Sequence, residues 1–300
     1  MHTSRIPHIA SGLVGLLLPL IVSPPAGAQP LSLSGASSVS VLTMLPGGEL
    51  YSAWGHTAIR ITDPLAGLDV TFNYGTFDFD QPDFYLKFVR GQLDYELSAA
   101  SFEQTLRAYR FLERAVIEQQ LDLTLEQRNR LFGLLQANYL PENRAYRYDF
   151  FFDNCSTRPR DILENTLALH IGSDKADPNA DSFRRLLKAG LADKPWTEFG
   201  IDLVLGLPSD RIATPRERLF LPLELLTALD TLHIGDGMDK KPIVLSTDTL
   251  FWPQVDAHRP SRSPGAGFLT WLIALGWASL VLIGRSRGAI KSLRRLDTAL

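Results

Sequence analysis

Residues 55–75 read GHTAIRI, TDPLAGL and DVTFNYG in succession. Two alternating stretches around a turn-rich centre predict a β-hairpin, and a hairpin fixes which side chains share a face. On the first strand His56, Ala58 and Arg60 take one face, and Thr57, Ile59 and Ile61 the other. On the second, Asp69, Thr71 and Asn73 form a polar face, and Val70, Phe72 and Tyr74 an apolar one. The faces match only in registers that set Asn73 opposite or diagonal to His56, both within side-chain reach. The same matching pairs Arg60 with Asp69. His56 and Asn73 are then either a structural hydrogen bond in a sheet or the oriented base of a site.

The remaining pattern is mixed. SVSVLTM (38–44) alternates as a strand. QPDFYLKFVRG (81–91), opened by Pro82 and closed by Gly91, predicts a helix, and QLDYELS (92–98) a strand. Ser101 followed by Gln104 caps a helix over 101–113; RAVIEQQLDL (114–123) reads as a strand, and 124–140 as a helix capped by Thr124. AYRYDFFF (145–152) reads as a strand running straight into Cys155. Beyond it lie helical stretches, PRDILENTLALH, SFRRLLKAGL, PWTEFGIDLVLGL and PRERLFLPLELLTALDTL, the last interrupted by Pro222, and then a final strand, KPIVLSTDTLFW. The fold class is α+β, with sheet elements early and a helical part late.

Two apolar runs bracket this region. Ile9 to Val22, followed by SPPAGA, has the form of a signal peptide over residues 1–28, with cleavage after Ala28. Ala266 to Gly284 is 19 residues without a charge, roughly 28 Å as a helix and close to a bilayer core. Five basic residues follow it, Arg285, Arg287, Lys291, Arg294 and Arg295. That bias puts residues 285–300 in the cytoplasm, and the signal peptide puts residues 29–260 outside it. The expected protein is single-pass in a bacterial cytoplasmic (inner) membrane, with its folded region in the periplasm. The net charge of -3 and the lack of a basic stripe argue against a nucleic-acid partner.

Cys155 is the only cysteine. In an oxidising compartment it has no internal disulfide partner, so it is either buried and inert or kept for chemistry. Asp153 and Asn154 precede it, both good helix caps. Pro159, four residues on, moves the helix start towards Arg158 and leaves Cys155 on the turn before it. A helix end gives ~0.3–1 kcal/mol, at best ~2, whereas lowering a thiol from ~8.5 to about 6 needs roughly 3.4 kcal/mol. A cation must supply the rest, and histidinium is the usual one. His2 and His8 leave with the signal peptide, His258 lies in the membrane linker, His170 ends the helix after Cys155, and His233 reads as a solvated loop residue. His56 remains. Cys155, His56 and Asn73 thus form a candidate set of nucleophile, base and orienting group. No paired ligands at zinc spacing occur, and GASSV does not fit a serine elbow, so no metal or other cofactor is expected.

This order of residues resembles the circularly permuted papain-like thiol enzymes, among them the lecithin:retinol acyltransferase relatives. WGHTAIRI, FNYGTFDF and FFDNCSTRPRDIL resemble more closely the periplasmic domain of the Lnb family of bacterial lipoprotein N-acyltransferases, over Val41 to Leu169. The resemblance implies a permuted papain-like core with Cys155 as nucleophile and His56 as base. It also implies transfer of an acyl chain from membrane phospholipid to the amino terminus of a diacylated lipoprotein. An acyl chain needs an apolar groove, since each exposed CH₂ costs ~0.8 kcal/mol. Phe77, Phe79, Phe84, Tyr85 and Phe88 line such a groove or simply belong to the core. A cysteine amidase or peptidase acting on cell-wall peptide, and a non-enzymatic anchored interaction domain, are the alternatives.

Overall fold

The computed structural model of the chain describes residues 31–77, 94–192, 194–235, 240–254 and 271–283. The expected signal peptide, the helix over 81–91 and the basic tail lie outside the described residues, as do Phe79, Phe84, Tyr85 and Phe88. Residues 271–283 of the expected span are helical. Its flanks are outside the described residues, and among the described residues no helix is long and apolar enough to cross a membrane.

The fold is mixed α+β around a seven-stranded antiparallel sheet. Its strands are β1 (Ser38–Met44), β2 (His56–Asp63), β3 (Leu68–Thr76), β4 (Asp94–Ser101), β5 (Val116–Leu121), β6 (Ala145–Arg147) and β9 (Val244–Phe251), in the order β6-β4-β3-β2-β1-β5-β9. A two-stranded ribbon joins β7 (His233–Ile234) to β8 (Lys241–Pro242). The helices are α1 (Phe102–Phe111), α2 (Leu125–Tyr139), α3 (Thr157–Leu167), α4 (Phe183–Lys188), α5 (Pro195–Leu205) and α6 (Pro222–Thr231).

The hairpin forms as its alternation predicts. Ile59 and Phe72 pair across β2 and β3, as do Arg60 and Thr71. Val39, Val41, Ile59, Ile61, Phe72 and Tyr74 point into a core closed by Leu131, Phe132 and Leu135 of α2 and by Leu163 of α3. Each such side chain, fully buried, contributes roughly 1.5–3 kcal/mol. The opposite face is also covered: Leu42, Met44, Ala58 and Val116 pack under Phe102, Leu106 and Tyr109 from α1. Arg60 pairs with Asp69 at 2.7 Å as expected, but its guanidinium lies 3.4 Å from the Phe102 ring centre and is only 16% exposed. The face read as polar is therefore roofed by a helix.

The caps read from the sequence form. Ser101 accepts from the Gln104 N–H, and Thr124 and Gln127 make a reciprocal capping box. Pro222 opens α6 at its first residue, where its missing N–H has no helical partner to lose.

Two expectations are corrected. The strand over 145–152 stops at Arg147. Asp149 and Asp153 exchange backbone hydrogen bonds, and Asp149 Oδ1 accepts from the N–H groups of Phe151 and Phe152. A side chain that captures the next amides turns the backbone out of the sheet. The final strand expected in KPIVLSTDTLFW forms as β9, but it crosses back and pairs with β5, so the division into an early sheet and a late helical part does not hold. A third cluster, largely aromatic, joins Phe183, Phe220 and Leu221 to Trp54, Phe150 and Phe151.

Candidate active site

His56 is the first residue of β2. The chain enters that strand through Gly55 at φ +89°, where any Cβ would lie 2.8 Å from the Met44 carbonyl oxygen. Only glycine accepts both that conformation and that approach. The observed register, continued towards His56, sets Asn73 opposite Ala58 and diagonal to His56. The Asn73 side chain hydrogen-bonds the imidazole. Arg60 meets Asp69 by the same diagonal offset. Just past Asn73 the pairing of β3 with β4 slips, a bulge beside the site.

Cys155 lies on the turn before α3, as Pro159 implied. Pro159 is the third residue of that helix, among the amides that lack an intrahelical partner, so it is tolerated. The turn is built by Asn154, which is 3% exposed. Asn154 Oδ1 accepts from the N–H groups of Ser156 and Thr157, and its Nδ2 donates to the carbonyls of Phe150 and Phe220. Ser156 Oγ donates to the Leu219 carbonyl at 2.7 Å. Arg158 holds Asp153 through two hydrogen bonds. Across the gap stands Gly75 at φ +91°, where an added Cβ would lie 3.4 Å from Cys155 Cβ.

The sulfur reaches the base's strand. The Thr57 N–H hydrogen-bonds Cys155 Sγ, and the N–H dipole of Cys155 itself lies close enough to favour the thiolate. Thr57 directly follows His56, so nucleophile and base are tied through one strand end.

Electrostatics reverse part of the sequence argument. Burial pushes the Cys155 thiol up to about 11, against the two N–H groups and the more distant Arg114 charge. Burial lowers His56 to about 4; the Arg114 charge adds to this, and the Asn73 hydrogen bond opposes it. Desolvation penalises the charged form of each group. The pair rests as neutral thiol and neutral imidazole, not as thiolate and imidazolium.

Cys155, His56 and Asn73 all line one cavity of about 720 Å³. Its walls include Tyr51, Phe77, Tyr109, Ile201 and Leu205. Phe77 is thus the one member of the expected aromatic groove that is both described and in the wall. His170 is exposed beside Glu164 at 3.6 Å, His233 is exposed in β7, and neither lines the cavity. Arg114, which does line it, went unread in the sequence. The signal was present: a cation opening the apolar strand AVIEQQL.

Fold and site together define an antiparallel α+β domain with cysteine, histidine and asparagine gathered on one largely apolar cavity. The chain belongs to the Lnb N-terminal periplasmic domain family, whose family model matches residues 30–189. Comparison with curated proteins and with solved structures gives no match.

Proposed function

We propose that the chain is a membrane-anchored cysteine acyltransferase with a permuted papain-like core. It moves a fatty-acyl chain from phospholipid, through a thioester on Cys155, to an amine. By the family resemblance the acceptor is the amino terminus of a diacylated lipoprotein. The observation that carries this reading is the convergence of Cys155, His56 and Asn73 on one cavity with mostly apolar walls. The run over 266–284 is the anchor and sits in the inner membrane, with the catalytic region in the periplasm.

In the first half-reaction Cys155 Sγ attacks the ester carbonyl carbon while His56 takes the thiol proton. The ester C–O bond then breaks, and His56 returns the proton to the departing lysolipid oxygen. In the second half-reaction the amine nitrogen attacks the thioester, His56 takes its proton, and the sulfur leaves and recovers it. Asn73 orients the ring. The Cys155 N–H is a donor for the tetrahedral oxygen.

The resting protonation states suit a base that is already neutral. Moving the proton from a thiol raised to about 11 to an imidazole lowered to about 4 is uphill, by roughly 10 kcal/mol at 1.36 per unit if the groups stood apart, and by less side by side, where thiolate and imidazolium attract. A turnover of about 1 s⁻¹ corresponds to a barrier of roughly 17 kcal/mol. Proton transfer concerted with attack fits within it.

The test is intact-protein mass after incubation with phospholipid and no acceptor. One acyl chain should add to Cys155, disappear with neutral hydroxylamine, and be absent in Cys155→Ser. The reading fails if no adduct forms while the protein is folded and Cys155 reacts with an alkylating probe.

A further inference from the structure

Arg114 takes no part in the steps above, and its surroundings are unusual for a cation. It follows Glu113, whose φ of 52° turns the chain out of α1 towards β5. Its side chain passes Gly47, where any Cβ would lie 2.9 Å from Arg114 Cδ. The guanidinium sits 5.1 Å from the Tyr109 ring centre, and Nε donates to the Leu45 carbonyl at 3.0 Å. Arg114 is 6% exposed, and its Nη2 is buried with no hydrogen-bond partner among the described residues. Among the described residues no carboxylate faces it, and the cavity wall it shares with Cys155 and His56 holds no aspartate, glutamate or lysine. A desolvated guanidinium with a spare donor and no counter-ion among the described residues is costly until an anion completes it.

We propose that Arg114 is the anion-binding residue of the cavity and takes the phosphodiester of the acyl donor, so that phospholipid is chosen over a neutral glyceride with the same chains. The proposal rests on the acyl-transfer reading and adds a recognition element that the reading does not require. The planar fork of arginine matches paired phosphate oxygens. The position fits as well, because the Arg114 charge is felt at both Cys155 and His56. In a glycerophospholipid the phosphate and an acyl ester sit on neighbouring glycerol carbons, so one molecule reaches both. A role for Arg114 in steadying the sulfur or the tetrahedral oxygen would instead serve every ester donor alike.

The test uses the full chain in mixed micelles. In Cys155→Ala, ether-linked phosphatidylglycerol and an ether-linked diglyceride with the same brominated chains are compared by quenching of tryptophan fluorescence, Trp54 being in the cavity wall. Phospholipid should bind at least tenfold more tightly. Adding Arg114→Met should shrink that advantage below twofold without weakening the diglyceride, and Arg114→Lys should keep part of it. Inorganic phosphate should reduce the advantage where Arg114 is present. Equal binding of the two lipids, an advantage that survives Arg114→Met, or binding of inorganic phosphate with no lipid preference each overturns the proposal.

With active protein, Arg114→Met should slow acylation of Cys155 by phospholipid at least tenfold more than it slows acylation by diacylglycerol. Equal slowing with both donors also overturns it. The donor comparison in the wild-type chain and in Arg114→Lys holds even if Arg114→Met does not fold. A lipid preference that depends on Arg114, with no adduct from any donor, would sink the acyl-transfer reading alone.

Discussion

The imidazole of His56 gives up water on entering the cavity wall and gains one hydrogen bond, with Asn73. That exchange has a stability consequence with a definite sign. Unfolded, His56 titrates near 6.5, and folded near about 4. Between those values the unfolded chain binds a proton that the folded chain refuses, so stability falls as pH drops from 6.5 to about 4 and is flat below. Cys155 mirrors this: 9.0 unfolded against about 11 folded, so stability falls as pH rises from 9.0 to about 11. At 1.36 kcal/mol per unit each limb is worth about 3 kcal/mol. Melting temperature should therefore fall less between pH 6.5 and about 4 in His56→Ala, and less between 9.0 and about 11 in Cys155→Ala, while the paired carboxylates Glu164 and Glu217 and the buried Tyr95 and Tyr109 keep the rest of each limb. Alkylation of Cys155 should rise with pH up to about 11. Rapid alkylation at pH 6 with a midpoint near 4 would mean that the folded protein holds a thiolate–imidazolium pair.

Among the elements, the hairpin was legible because alternation fixes faces and matching faces fix register. Arg60–Asp69 and His56–Asn73 obey one diagonal rule, so a single reading places both. The Thr124 box and the turn position of Cys155 were legible for equally local reasons. The loop over 149–153 was not: YDFFF carries the apolar aromatics of a strand, and what ends it is one carboxylate capturing two amides. The pairing of β9 with β5 was hidden because no local pattern names a partner so far along the chain. Arg114 was hidden for a different reason, since burial of a cation depends on the tertiary roof of α1 and on the space left by Gly47. Gly75 offers an element-level test. An alanine there is strained at φ +91° and sets its Cβ 3.4 Å from Cys155 Cβ, in van der Waals contact with the nucleophile's side chain. Gly75→Ala should lose ~1–2 kcal/mol of stability and slow acylation of Cys155 disproportionately, by tenfold or more. Lost stability with an unchanged acylation rate would show that the cysteine turn gives way without harm.

Across the whole molecule, the family-matched stretch ends at residue 189, yet the fold does not. Phe220, Leu225, Leu229 and Ile243 are buried beyond it, and β9 covers the edge of β5. A fragment of residues 30–189 should lack a cooperative thermal transition and should associate through that edge. A fragment of residues 30–254 should melt as one unit. A sharp, reversible transition in the shorter fragment would show that the later part is an accessory. The turn that presents Cys155 depends on the same late chain, through Asn154 to Phe220 and Ser156 to Leu219, 66 and 63 residues downstream. Ribosomes add ~5–20 residues per second, so the cysteine is made roughly 3–13 s before the carbonyls that hold its turn. During that interval the sulfur is an ordinary, wet, oxidisable thiol. Chronology therefore sets when this residue is most exposed to damage: while the chain is young, before its last third has arrived.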